Sequence, residues 1–522
     1  MKRMIISFLL AGAVAILGTS PVSAADKASG SVKIGYTYID HDGGFGVNQE
    51  TYNYYEGLGL SLSDWHYGLD NGVTITGDFN NITLNNRNLR AGARKPGLFD
   101  VTFTNNQYRR IYDFDGSHFT RRNSTGFQVS VQPHRLVKVF GGYSLINKHG
   151  SSIEILSPVS DTIIASTDYS QTSINLGTLV GDRRGTLRLD YRHLSFNDKT
   201  SLNADRKADN FSATATTPVP KNEWLIVSGG YIYRKDKADL DNSALQTSQF
   251  WGATKMYLPA HLLFDYRLIY AWAKHIGPDL ETDHFIHTAS IGRNWRRHGG
   301  LRVGYEYRIA DDFTNRTTSS GFLANGWLKP IERIYLNASI ATRKDKVKEG
   351  VTLLGDEDYT RHQITARYSD TTWGDLTGQW QGRIRKNPDI SSRVDYNAWS
   401  TQINLARSKL GRITVNWTYY KGTYRDQSDT LGFQFGDHVL NGTIHPRTWR
   451  NFDFDFGATY YRSRRSLNIE KSNLNFGLMY TYEKIYHVEA RYHVFNYDDY
   501  LVNNSYYTAN IVEVNIIKDL SF

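Results

Sequence analysis

Along most of the chain apolar and polar residues alternate one by one, which places successive side chains on opposite faces of a strand. In Arg302 to Ile309, the positions Val303, Tyr305, Tyr307 and Ile309 are apolar, while Arg302, Gly304, Glu306 and Arg308 are polar or small. One face is wet and the other greasy. The same reading fits Val32-Ile34-Tyr36-Tyr38, Leu187-Leu189-Tyr191, Leu262 to Trp272, Ile334 to Ile340, Ile413 to Tyr419, Phe452 to Tyr460 and Leu474 to Tyr482. These runs exceed the usual soluble strand of about five or six residues and match the roughly 9–11 needed by a tilted strand crossing a bilayer.

Proline marks the breaks between runs, because it cannot donate to a strand ladder. Short breaks recur at Lys95-Pro96-Gly97, Pro133, Gly181-Asp182, Pro220, Pro259, His298-Gly299, Pro330, Thr372, Gly411 and Pro446. Further turns near His66 and Lys484 bring the tight turns to twelve, which implies thirteen hairpins. The expected fold is an all-β, transmembrane outer-membrane β-barrel of about 26 antiparallel strands, within a range of 22 to 28. Between the tight turns lie charged stretches, Asn106 to Asn123 and Thr342 to Tyr359 among them, read here as long loops on the other side. Turns on the periplasmic side and loops outside is the asymmetry of such barrels.

The two ends of the chain carry address signals. Lys2 and Arg3, an apolar stretch from Met4 to Gly18 and the small residues Val22-Ser23-Ala24 predict a signal peptide over residues 1–24, cleaved after Ala24. Residues 25–522 then form a single barrel domain. After Ala24 no apolar run approaches the roughly 18 residues of a membrane helix. At the other end Val512, Val514, Ile516 and Leu520 alternate up to the final Phe522. This resembles the terminal strand that bacterial barrel-assembly machinery recognises, so Leu520 and Phe522 are the expected assembly signal. The partners implied are that machinery and outer-membrane lipid.

Composition narrows the chemistry. The 522 residues include no cysteine, which excludes disulfides, thiolate metal sites and covalent haem attachment. An aromatic fraction of 13% argues against disorder. A soluble β-propeller shares the hairpin period of about 40 residues, but its surface could not carry rows of Tyr, Trp and Phe at the ends of apolar faces. Such rows suit the two membrane interfaces.

Lys+Arg outnumber Asp+Glu by 61 to 52. Arg188, Arg192, Arg267, Arg302, Arg308, Arg383 and Arg385 fall opposite apolar rows and are expected to face the lumen. They read either as a cationic lining that favours anions or as half of a hydrated wall of neutralising pairs such as Arg188/Asp190 and Arg302/Glu306. His487 and His493 share a face with Glu489, without the spacing of a metal motif. No G-x-S-x-G element, phosphate loop or metalloprotease motif occurs, so no catalytic, cofactor or metal site and no enzyme activity is expected. No nucleic-acid partner is expected either.

Twenty-six strands about 4.8 Å apart and tilted by about 40° enclose a barrel roughly 50 Å across. Only Ala25 to Gly30 separate the cleavage site from the first alternating run, which leaves no room for an N-terminal plug domain. The filling is expected from inward-folded loops or another protein. The wide Cys-free barrel, its Tyr-rich hairpins, and the early segment Gly72-Val73-Thr74-Ile75-Thr76-Gly77, Leu89-Arg90-Ala91-Gly92, Phe99-Asp100-Val101-Thr102-Phe103-Thr104 resemble the MtrB/PioB family of outer-membrane barrels. That family includes porin-cytochrome conduits of metal-reducing bacteria. The resemblance implies a sheath around a multihaem c-type cytochrome that carries electrons across the outer membrane, with haem held by the partner and no cofactor in this chain. The alternative is a diffusion porin, anion-selective, with loops folded into the lumen.

Overall fold

The structure is a computed structural model. It describes residues 28–521 apart from 44–53, 112–118, 156–161, 183, 201–203, 220–221, 241, 278, 296, 313–314, 350–355, 373, 389–390, 409–410, 426–432, 466–467 and 501–504. Ala24 and Phe522 lie outside the described residues. Twenty-six strands, β1 (Ala28–Gly43) to β26 (Ser505–Ser521), follow one another in chain order and pair antiparallel with their sequence neighbours. The last strand then pairs with the first, from Ser29 opposite Ser521 to Gly43 opposite Tyr507. The sheet has no free edge, which satisfies every strand backbone within the wall, as a bilayer demands.

Alternation builds the two surfaces. Ile34 on β1, Leu176 on β8 (Thr162–Asp182), Ile364 on β18 (Glu357–Asp370), Leu474 on β24 (Ile469–Tyr482) and Ile516 on β26 are all exposed. In water such a surface would aggregate; on a closed barrel it faces hydrocarbon. Trp295, Tyr482 and Tyr486 stand on it near the tight turns, and Tyr38, Tyr270 and Tyr506 near the opposite ends. These are the two interfacial belts.

Three prolines sit inside strands, each one residue from the end. They are Pro133 on β6 (Phe119–His134), Pro218 on β10 (Arg206–Val219) and Pro330 on β16 (Asn315–Ile331). At each, the ladder register shifts, between Val131 and His134, Pro218 and Val219, and Leu328 and Ile331. The irregularity absorbs the missing N–H.

Two expectations need correction. His66 is not at a turn but pairs within β2 (Gly57–Gly68), opposite Ser29 and Thr76; the turn follows at residues 69–73. The charged stretches read as loops are largely strand. β5 (Phe99–Ile111) and β6 take most of Asn106 to Asn123, while β17 (Ile334–Glu349) and β18 take most of Thr342 to Tyr359. Above the membrane a strand needs no apolar face, so charged residues such as Arg343 and Asp345 prolong the ladder into water.

Candidate lumenal site

The face opposite the lipid surface carries the wall's charges, and pairing both along a strand and across strands decides which of them lack an opposite charge. At the closure, Lys33 Nζ donates to Glu489 Oε2 at 3.1 Å, and Arg491 Nε to Glu489 Oε1 at 2.6 Å, both acceptors on β25 (Tyr486–Asp499). From β26, Asn515 Nδ2 donates to the same Oε2 at 3.0 Å. Glu489 is 8% exposed, so this carboxylate is held by three donors rather than by water. Asn515 can lie there because its cross-strand partner is Gly35, where an added Cβ would collide with the carboxamide. Gly457 opposite Asn475 and Gly477 opposite Asp455 repeat the arrangement.

The seven arginines expected in the lumen divide by partner. Arg188 Nε donates to Asp190 Oδ2 at 2.7 Å, Arg385 Nη2 to Glu357 Oε2 at 2.6 Å, and Arg302 pairs with Asp265. Arg302 therefore does not pair with Glu306. Four residues along a strand span about 13 Å, whereas Asp265 on β13 (Leu262–Ile276) lies only two strands across, with Ser290 also accepting from Arg302 at 2.9 Å. Arg192 donates to Ser173 Oγ at 3.1 Å, and Arg308 lies 3.4 Å from His284 Nδ1. Arg383 rests 5.2 Å from the centre of the Tyr359 ring. Arg267 is exposed and has no ion-pair partner among the described residues.

His487 is tied to Thr481 Oγ1 at 3.0 Å and Asp519 Oδ2 at 2.9 Å, and His493 packs against Tyr54 and Phe495. Among the described residues no group of three His, Asp or Glu side chains is placed to hold a metal.

One lumenal feature was not expected. At the loop end of the closure, Phe495, Tyr497, Tyr507, Ala509 and Ile511 point inward and are buried, with Ile39, Tyr54 and Ile469 packed on them. Tyr54 comes from the first connection, its ring 6.1 Å from that of Phe495. Beside it, Tyr55 lies under the Arg109 guanidinium at 4.7 Å, and burial pushes its phenol above the ordinary tyrosine range, against the pull of Arg109 and Arg121. A cavity of about 300 Å³ opens between these two tyrosines, Lys33, Asn86 and Asn515. The sequence did hold a signal: on the lumenal face of β26, Tyr507, Ala509 and Ile511 follow one another as apolar residues before Glu513 and Asn515.

No family model and no curated protein matches the chain. Among solved structures, the siderophore receptor PirA from Pseudomonas aeruginosa is similar with a TM-score of 0.53 at 10% identity, covering 96% of this chain and 81% of that one. The FrpB iron transporter from Neisseria meningitidis (F3-3 variant) gives 0.52 at 8% identity, covering 95% and 82%. At such identities the likeness is one of fold. With the apolar exterior it places the protein among large outer-membrane barrels, and its location is the outer membrane.

Proposed function

We propose that the barrel sheathes a multihaem c-type cytochrome and so forms an electron conduit across the outer membrane. The observation that carries this reading is the shortness of the connections. The longest, the 13 residues between Gly43 and Gly57, is followed by loops of seven residues or fewer, such as 199–205, 350–356 and 426–432. A 13-residue hairpin reaches at most about 20 Å from the wall at about 3.3 Å per residue, short of the middle of a lumen roughly 50 Å across once it must also turn. Connections of this length are too short to fill the bore, which leaves room for a second molecule. A wall of hydrated ion pairs offers that molecule a polar sleeve, and a chain without cysteine supplies no covalent haem link of its own.

Mild-detergent purification from outer membranes tests this directly. A haem-staining partner should co-purify in a fixed ratio, the barrel alone should give large, unstable conductance in planar bilayers, and the partner should suppress it. Small, steady, anion-selective conductance with no haem partner would reject the sheath. It would favour a diffusion channel, the reading that the carboxylate-free Arg267 and Arg383 support.

A further inference from the structure

We propose that Arg361 and Arg383 form a binding site for a phosphate-class oxyanion on the lumen wall, independent of whether a cytochrome fills the bore. Arg361 on β18 and Arg383 on β19 (Gly374–Asn387) are direct cross-strand partners. Both stand on the face opposite Ile364 and Leu376, which are exposed to lipid. Like charges set opposite each other in an antiparallel pair repel, and a carboxylate normally intervenes. Here the neighbouring carboxylates are already engaged: Asp345 with Arg343 at 2.9 Å, Glu357 with Arg385 at 2.6 Å and Asp375 with Arg367 at 3.2 Å.

Five arginines against three carboxylates leave two guanidinium groups in register. Tyr359 fixes their surroundings, its ring receiving Arg383 at 5.2 Å and Arg343 at 5.7 Å from opposite strands. The cavity there, about 540 Å³, is lined by Arg361, Arg383, Arg385, Gln381, Tyr359 and Tyr396. Two planar forks facing one space suit an anion with several oxygens, which each fork can grip with two N–H donors. An added dianion also removes the repulsion between them. The volume exceeds that of a single phosphate and admits pyrophosphate.

The test is equilibrium dialysis of the detergent-solubilised full-length barrel against radiolabelled pyrophosphate at constant ionic strength. One saturable site is expected. Arg361→Gln and Arg383→Gln should each weaken it about tenfold or more, and Arg267→Gln, elsewhere on the lumen wall, should not. The charge-conserving Arg361→Lys and Arg383→Lys keep the wall's charge and should still weaken binding, since a lysine is a point donor. Non-saturable uptake, or equal affinity in wild type and all four site variants, would overturn the site. Because the assay needs no haem partner, its outcome decides the site alone and leaves the sheath to the co-purification test.

Discussion

Lys33 on the first strand and Glu489 on the penultimate one form an ion pair of 3.1 Å across 456 residues of chain, spanning the strand that closes the barrel. The pair bridges over β26, which contributes Asn515 to the same carboxylate. It exists only when both edges of the terminal strand are docked. Closure is thus recorded by a polar cluster as well as by the backbone ladder.

Removing that carboxylate should loosen the closure selectively. Glu489→Gln removes the charge that Lys33 and Arg491 share and replaces one acceptor oxygen by an amide donor in a partly buried setting, a loss of about 2 kcal/mol once solvent access to Lys33 is allowed for. The refolded variant should show a lower midpoint in urea and convert to the unfolded gel band at lower temperature. An unchanged midpoint would mean that the ladder alone holds the seam.

Gly35 is the steric half of the same device. Gly35→Ala puts a methyl group where the Asn515 carboxamide lies, so Asn515 must rotate away from Glu489. The cost should be about 1 to 3 kcal/mol, that of a buried acceptor losing one donor plus local strain. Pairing it with Asn515→Ala, which vacates the space, should recover part of the loss. Additive losses in the double variant would show that the two positions are uncoupled.

Much of this was legible from alternation and proline alone. Twelve breaks implied thirteen hairpins, and the strands number twenty-six. What was hidden depended on register. Arg302 finds Asp265 and not Glu306 because neighbours on a sheet lie across strands, and the chain does not spell out which rows align. Arg361 faces Arg383 for the same reason. The extended hairpins were mistaken for loops because alternation loses its contrast where both faces meet water, as around Arg343 and Asp345. The inward dry patch escaped because polarity had been assigned to the whole lumenal face, although Tyr507, Ala509 and Ile511 lie on it.

The first connection should respond to alkali. Burial raises the Tyr55 phenol above its usual range, near 10 in the unfolded chain. A group whose folded value is raised contributes its stability fully below the unfolded value and loses it as pH rises through the folded one. Ultraviolet titration should therefore show a fraction of tyrosines ionising later than the exposed majority, and Tyr55→Phe should reduce that fraction by one tyrosine. An undiminished late fraction in Tyr55→Phe would show that Tyr55 ionises with the exposed majority.

Orientation can be settled with the cysteine-free background that the chain itself provides. The turn residues Arg135 and Lys484 lie at one rim, and Lys199 and Asp239 at the other, all four exposed. Because the tight turns are the end that barrel assembly leaves in the periplasm, Lys199→Cys and Asp239→Cys should react with a bulky membrane-impermeant maleimide on intact cells. Arg135→Cys and Lys484→Cys should react only after the outer membrane is permeabilised. These side chains are solvated and outside the strand ladders, so single substitutions should cost no more than about 0.5 kcal/mol and leave the barrel folded. The reverse labelling pattern would turn the barrel over and put the Arg361 and Arg383 pair, which lies nearer the loop rim, on the periplasmic side.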